Sequence, residues 1–284
     1  MPRGVPKAGF RKTKNKTKSD IVAYCEPIQI ETDTEISQRI SDRFEILEDL
    51  AIGSTSGEIR SLIVSGPAGL GKSYTIEKTL NQWDPNGTNY TIIKGYVRAT
   101  GLYKTLFAHS APGQVVVFDD ADTIFFDDTS LNMLKAVCDS TENRTVSYLA
   151  ESQLFDDGTA ERLPKSFEFH GTIIFITNYD FDAMIEKGHK LAPHLLAMMS
   201  RSHYIDLSMK TKRDYMVRIH QVISKGLLDN VGLTRVAQQE VLSFIDANKD
   251  TLRELSIRVA LKVASIRKLK EQKWEKIAKI TCCR

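Results

Sequence analysis

Residues 65–74, which read SGPAGLGKSY, constrain the fold of this chain more than any other stretch. Three glycines stand between a short apolar run, residues 62–64, and a segment of helix-compatible residues that continues to Leu80. Glycine reaches backbone conformations closed to other residues and leaves no Cβ in the way of a ligand, so successive amides can point at one anion. A helix beginning at about Lys72 adds unpaired amides and a favourable dipole. The stretch therefore predicts a strand, a phosphate-binding loop and a helix.

The spacing within this stretch matches the pattern G-x-x-x-x-G-K-[ST] over residues 66–73. In this pattern the lysine reaches the β- and γ-phosphates of a nucleotide, and the hydroxyl ligates Mg²⁺. We therefore expect Lys72 to bind phosphate and Ser73 to be a metal ligand. The residues expected to bind the nucleotide here are Gly66, Pro67, Ala68, Gly69, Leu70, Gly71, Lys72, Ser73 and Tyr74.

The alternation of apolar strand-like runs with helical periodicity indicates the fold class. A chain of 284 residues with 42% apolar content is long enough for one large domain and a smaller one. Strand-like runs end with residues 203–207, and from Met209 onward the pattern is helical. We predict an α/β fold with a parallel sheet covered by helices, followed by an all-helical lid. The predicted regions are an arm at residues 1–20, a core at 21–207 and a lid at 208–284.

Individual elements follow from the same periodicity. The predicted strands are residues 62–64, 90–97, 114–120, 171–177 and 203–207. The predicted helices before the lid are residues 36–52, 72–80, 102–109 and 130–137.

Cysteine spacing and hydropathy bear on location. No apolar run approaches the length of a membrane span, and no hydrophobic segment follows the basic start, so we expect a soluble, cytoplasmic protein. Cys25, Cys138, Cys282 and Cys283 are far apart or directly adjacent, which favours free thiols over a disulfide framework or a zinc site. The six histidines show no metal-ligand spacing.

Charge is distributed unevenly along the chain. The net charge is +3, but residues 1–19 carry +7 and residues 262–284 carry +6, which leaves −10 for the residues between them. Two basic ends on an acidic body favour a nucleic acid as partner, whereas lysines that only maintain solubility are the alternative. Residues 2–7 resemble an AT-hook, but Val5 replaces its second arginine, so attraction to phosphates is favoured over minor-groove binding. Trp274 either stacks on a base or packs internally.

A second apolar run, residues 114–120 (QVVVFDD), ends in two carboxylates. Ligands of open parallel sheets bind at the carboxyl ends of the strands, beside the phosphate-binding loop. Asp119 is therefore predicted to hold Mg²⁺, and Asp120 is predicted to polarise the attacking water.

With these two motifs, residues 21–270 resemble the AAA+ ATPases, in which the motifs are called Walker A and Walker B. The resemblance implies that Asn178, after the strand GTIIFIT, is the sensor-1 residue that orients the lytic water. It implies that Arg201, in HLLAMMSRSHYIDL, is an arginine finger acting on the neighbouring subunit's nucleotide, and that Arg258, in ELSIRVALK, is the sensor-2 arginine. It further implies ATP and Mg²⁺ as cofactors, ATP hydrolysis, and a homo-oligomeric ring, usually a hexamer. Small members of this shape are often encoded by tailed phages, which would place the protein in the host cytoplasm.

Two arginines in this set have a simpler alternative. Arg201 is also compatible with an arginine favoured by the dipole at a helix C-terminus. Arg258 is also compatible with a solvated arginine on a helix surface.

Departures from the family pattern keep other functions open. The family usually has Asp-Glu at the end of Walker B, and the shorter Asp120 predicts slow hydrolysis unless Asp122 assists. Protein-threading members place an aromatic-aliphatic-Gly loop after the second strand, where this chain has Tyr96, Val97 and Arg98. We favour Tyr96 as a core residue at the strand end. The sequence therefore predicts a motor or loader in a DNA transaction, with a protein remodeller or a slow nucleotide-gated switch as alternatives.

Overall fold

The computed structural model describes residues 31–150, 153–156, 158–270 and 272–284. Residues 32–284 form one compact unit. The predicted basic arm, its AT-hook-like segment, Cys25 and the first ten residues of the predicted core lie outside the described residues.

Five parallel strands form the central sheet, and a two-stranded antiparallel hairpin lies apart from it. The strands in chain order are β1 (Ser61–Ser65), β2 (Tyr90–Lys94), β3 (Val115–Asp119), β4 (Thr145–Ser147), β5 (Ser166–Glu168), β6 (Thr172–Thr177) and β7 (His203–Asp206). The order across the sheet is β2-β3-β6-β1-β7, and β4 pairs with β5. Every residue of β1, β3 and β6 is buried, as expected for central parallel strands covered on both faces.

Ten α-helices occur in the described part of the chain. They are α1 (Asp33–Ser56), α2 (Lys72–Trp83), α3 (Ala99–Ala108), α4 (Asp128–Val137), α5 (Phe181–Glu186), α6 (Ala192–Met199), α7 (Lys212–Ser224), α8 (Arg235–Asn248), α9 (Ile257–Leu269) and α10 (Trp274–Cys282). The long helix α1 has clear local start and stop signals. Thr32 and Glu35 form a capping box at its start, and Gly57 ends it in the left-handed conformation.

Apolar side chains collect in three clusters. Alternate residues of β3 face opposite sides of the sheet, so Val117 joins a cluster with α1 and α2, whereas Phe118 joins one with α3 to α6. The third cluster lies among α7 to α10, which we call the lid. The change from strands to lid helices occurs between β7 and α7, and the predicted domain boundary at 207/208 falls there but stays a prediction.

Two predictions about aromatic residues are decided by this fold. β2 ends at Lys94, because its pairing with β3 stops at Asp119 and Gly95 then turns the chain with a φ of 93°. The prediction that Tyr96 lies in the core is therefore wrong, since its side chain is 71% exposed. Trp274 is buried against Phe244, with ring centroids 5.4 Å apart, so it packs and does not stack on a base.

Four elements were not predicted from the sequence. The hairpin strands β4 and β5 have three residues each, too few to show a periodicity, and α5 and α6 are also short. Across the described residues, none of the helices combines the length and the apolar character needed to cross a membrane. Cys138, Cys282 and Cys283 are free and buried.

Candidate nucleotide-binding site

The phosphate-binding loop, residues 66–73, connects β1 to α2 as the motif predicts. Gly66, Gly69 and Gly71 have φ values of 145°, 76° and 100°, which glycine adopts at little cost. At Gly69 a Cβ atom would lie 2.8 Å from the Cβ of Ser256 in the lid. A side chain at this position would therefore strain the loop and collide with the lid.

Lys72 lies inside this loop with only 5% of its surface exposed. Its Nζ donates hydrogen bonds to the carbonyls of Gly66 and Pro67 at 2.5 and 2.9 Å, and to Oδ1 of Asn178 at 2.9 Å. Burial lowers the pKa of the Lys72 ammonium to about 8, while Asp120 and Asp119 act in the opposite direction. The lysine is thus held among neutral oxygens, where a phosphate would give it a charged partner.

Asp119 and Ser73 meet at the carboxyl end of β3. The Ser73 hydroxyl donates to Oδ1 of Asp119 at 2.8 Å, and this carboxylate is buried. Mg²⁺ prefers oxygen ligands and binds proteins through one or two side chains, with water and substrate phosphates completing its shell. The pair therefore fits Mg²⁺, with Ser73 and Asp119 as the residues that would hold it.

Lys94 is a neighbour of this pair that sequence analysis did not assign to the site. The parallel register of β2 and β3 places Lys94 beside Asp119, with Nζ 3.5 Å from Oδ2. Its Nζ also lies 3.6 Å from Oε2 of Glu77 on α2. Register between strands, which the sequence does not display, is the reason that this lysine was missed.

Asn178 connects Lys72 to the second Walker B carboxylate. Its Nδ2 donates to Oδ1 of Asp120 at 2.7 Å, while its Oδ1 accepts from Lys72. Asp120 is exposed and has a φ of 53°, a left-handed conformation that Asp tolerates better than most residues. Because β3 and β6 are neighbours, residues 58 positions apart in the chain meet at one edge of the sheet.

Asp122, considered as an assistant to Asp120, is tied to β6 instead. Its Oδ1 accepts a hydrogen bond of 2.6 Å from the Thr177 hydroxyl. Burial raises the pKa of Asp122, and the bond from Thr177 acts against that increase. Asp122 therefore links the end of β3 to the residue just before Asn178.

A cleft of about 200 Å³ lies between the sheet and the lid. Its lining residues are Ala68, Gly69, Gly71, Lys72, Ser73, Tyr74, Asp120, Asn178, Ile257 and Arg258. The lid reaches the loop directly, because the Ile257 amide donates to the Gly69 carbonyl at 2.9 Å. Arg258, predicted as sensor 2, thus lies in the cleft with Lys72. Of the other predicted loop residues, Gly66 and Pro67 bind Lys72 through their carbonyls, and Leu70 is buried.

A larger concavity, of about 1100 Å³, lies between α1, α7 and α8. It contains none of the residues that line the smaller cleft. Three of its basic side chains, Lys212, Arg213 and His220, already face acidic partners. Size alone therefore does not identify the site. The side chains of Lys72, Asp120 and Asn178 come together in the smaller cleft.

Arg201 lies away from this cleft. Its Nη1 donates to the Ala197 carbonyl at 2.8 Å, and its Nε is 3.7 Å from Oδ2 of Asp139. It follows α6 and is partly exposed. Arg201 does not line the cleft, so its predicted role as an arginine finger would require a second subunit.

The sequence of this chain is similar to that of a known phage protein. The chain is 39% identical over 246 residues to an uncharacterized 36.7 kDa protein of Enterobacteria phage T4, encoded in the nrdC-mobD intergenic region. This match covers 86% of the present chain and 74% of the T4 protein. No protein-family model matches the sequence.

Two solved structures show distant similarity. A RuvB mutant of Thermotoga maritima matches with a TM-score of 0.49 and 13% identity, covering 88% of this chain and 72% of RuvB. NtrX of Brucella abortus in complex with ADP matches with a TM-score of 0.45 and 11% identity, covering 81% of this chain and 49% of NtrX.

Proposed function

We propose that this chain, which belongs to the same family as the phage T4 protein, is an AAA+ P-loop protein that binds and hydrolyses ATP. One observation carries the proposal: Lys72, Asn178 and Asp120 form a hydrogen-bonded chain beside the Ser73–Asp119 pair in a single cleft. A phosphate ligand, a metal ligand pair and a base for water are therefore within reach of one another.

Each side chain has a distinct role in this proposal. The loop amides and the N-terminus of α2 bind the β-phosphate, and Lys72 exchanges backbone carbonyls for β- and γ-phosphate oxygens. Ser73 and Asp119 would hold Mg²⁺, which would supply positive charge to neutralise the phosphates. Asp120 accepts a proton from the attacking water, and Asn178 orients that water. Arg258 brings a lid cation to the phosphates.

Arg201 is proposed to complete the site of a neighbouring subunit in a homo-oligomer, usually a hexamer in this superfamily. The support is its position on the surface after α6, away from its own cleft. Arginine fingers in related P-loop systems increase the rate by ~10³ or more. An isolated subunit is therefore expected to bind ATP but to hydrolyse it very slowly.

Mixing two inactive variants tests this arrangement. Lys72→Ala removes nucleotide binding but keeps the finger, whereas Arg201→Ala keeps binding but removes the finger. Each variant alone is expected to be inactive, and their mixture should recover activity, because Lys72→Ala subunits can donate Arg201 to their neighbours. Arg235→Ala, which removes an exposed arginine from the lid, is the matched control and should retain wild-type turnover. A mixture as inactive as its components, or an active Arg201→Ala protein, would refute the finger assignment.

We propose that the hydrolysis serves a DNA transaction. Support comes from four lysines that are exposed and make no ion pair within the described part of the chain. They are Lys270, Lys273, Lys276 and Lys279. With the basic arm at the other end of the sequence, they would attract a phosphate backbone. The phage relative supports the expectation that the protein acts in the cytoplasm of an infected cell.

A protein remodeller is the second candidate, and the exposure of Tyr96 in the loop after β2 favours it. Steady-state ATP hydrolysis, measured with single-stranded DNA, duplex DNA or an unfolded protein, separates the candidates, with Asp119→Ala as the inactive control. Stimulation by DNA supports a motor or loader. Stimulation by unfolded protein alone supports a remodeller, and ATP binding without turnover under any condition supports a switch limited by the short Asp120 side chain.

A further inference from the structure

We infer that Arg218, on lid helix α7, is a positioning residue that orients the backbone of the phosphate-binding loop. Its Nε and Nη2 lie 3.4 and 3.3 Å from the Leu70 carbonyl oxygen and donate hydrogen bonds to it. This inference rests on the proposed nucleotide binding, since it assigns a role in forming the same site.

Burial and charge make this contact unusual. Arg218 is only 7% exposed, and burial lowers the pKa of its guanidinium to about 10. Among the described residues it has no carboxylate partner, and its polar partners are the Leu70 carbonyl and Oε1 of Gln221. A buried cation without an anion is costly unless neighbouring groups compensate. The hydrogen bonds to the Leu70 carbonyl and to Gln221 therefore restrict the position of the Arg218 side chain.

Helix α1 supplies the remaining support. The guanidinium carbon lies 3.6 Å from the centroid of the Phe44 ring, a stacked cation–π contact. Gln221 in turn donates to Ser37 and Ser41 of α1 at 2.7 to 2.9 Å. The fork of Arg218 is thus positioned by α1 and α7 together while it binds the loop.

Planarity of the peptide bond links this contact to phosphate binding. The carbonyl of Leu70 and the amide of Gly71 belong to one trans peptide unit, so they point in opposite directions. Holding the carbonyl on Arg218 turns the Gly71 amide the other way. Gly71 has a positive φ of 100°, so the freedom of this glycine would otherwise let the peptide rotate.

A second lid contact acts on the preceding peptide. The Gly69 carbonyl accepts a hydrogen bond from the Ile257 amide at the start of α9, which in the same way fixes the direction of the Leu70 amide. Two consecutive peptides of the loop are therefore oriented by the lid. Nucleotide affinity should then depend on lid residues that do not contact the nucleotide.

Arg144 provides a matched control within the same chain. It is also buried, it donates to the carbonyls of Val137 and Gly171 at 3.1 and 2.8 Å, and it lies 5.2 Å from the centroid of the Phe169 ring. None of these partners lines the cleft. A Lys substitution at either arginine keeps the charge but removes the fork, so only the location of the lost contact differs.

The test measures the Kd of a fluorescent ATP analogue with Mg²⁺, the kcat at saturating ATP, and the Tm. Arg218→Lys is expected to raise the Kd about tenfold, the effect of losing one charge-assisted hydrogen bond, with kcat within about twofold of wild type. Arg144→Lys should lower the Tm without changing the Kd. Phe44→Leu, which keeps an apolar side chain but removes the ring, should raise the Kd in the same direction. The double variant Phe44→Leu/Arg218→Lys should be no weaker than Arg218→Lys alone, because both act through one contact.

Each other outcome is decisive. A wild-type Kd in both Arg218→Lys and Phe44→Leu would overturn the inference, and so would an equal rise in Arg144→Lys, since the effect would then follow from lost stability. Fully additive effects of Phe44→Leu and Arg218→Lys would also count against a shared contact. Failure of the wild-type protein to bind nucleotide would instead refute the proposed function.

Discussion

Salt dependence of DNA binding provides a quantitative test of the proposed role of the C-terminal region. Of its eight basic residues, Arg284 is left unchanged, Lys262 and Arg267 are paired with Glu254 and Glu240, and Lys268 donates to a backbone carbonyl. Four exposed lysines remain without an ion pair in the described part of the chain, and the perturbation replaces all four with Gln. They are Lys270, Lys273, Lys276 and Lys279.

The magnitude follows from counterion release. Each phosphate contact on duplex DNA contributes about 0.9 to the slope of log K against log salt, so four contacts contribute about 3.6. Between 50 and 200 mM salt, the affinity of the wild-type protein should therefore fall about 150-fold more than that of the variant.

Fluorescence anisotropy with a labelled duplex, titrated at four salt concentrations, measures the slope. A control variant carries the same change in net charge at four exposed lysines elsewhere, so that a general effect of protein charge can be separated from local contacts. These are Lys78, Lys165, Lys187 and Lys190. Equal slopes in the two variants, or a slope unchanged from wild type, would refute the assignment of DNA binding to this region.

Three further predictions concern the glycine-rich loop, the exposed Tyr96 side chain and the cysteine thiols. Gly69→Ala places a Cβ 2.8 Å from Ser256 at a positive φ, which costs roughly 1–2 kcal/mol in backbone strain alone, so calorimetry should show at least a tenfold weaker nucleotide Kd; an unchanged Kd would contradict the loop geometry. Tyr96→Ala removes an exposed side chain and should change the free energy of unfolding by about 0.5 kcal/mol or less in urea titrations, whereas a loss of several kcal/mol would place Tyr96 in the core. Burial raises the pKa of Cys138 to about 11, and Cys282 and Cys283 are also buried. In a Cys25→Ser background the folded protein should therefore show no thiol that reacts rapidly with DTNB at pH 8, and denaturation should expose three.

Local motifs account for the part of the site that could be predicted. The phosphate-binding loop is contiguous in the chain, and its glycines, lysine and serine have the spacing that one turn and one helix start require. Asp119, Asp120 and Asn178 each follow a buried apolar run. Since parallel strands align their carboxyl ends at one edge of the sheet, their meeting with Lys72 was expected, although their catalytic roles stay predictions.

Other features depended on information that periodicity does not contain. The strands of the hairpin are too short to show a pattern, and Tyr96 was placed in the core because the sequence does not reveal where pairing with β3 stops. The role predicted for Arg201 stays a prediction, because it involves a second subunit.

Sequence by itself determined that this chain has a glycine-rich loop between a buried strand and a helix, because that geometry is specified by eight neighbouring residues. Only the tertiary structure decided which residues outside the loop form hydrogen bonds with its backbone. Leu70 and Arg218 are 148 positions apart. The sequence of an amphipathic helix does not indicate which carbonyl group an arginine on it will bind. Their contact depends on how α7 packs against α1 and on the direction of a single peptide plane, both of which are set by the packing of the whole lid.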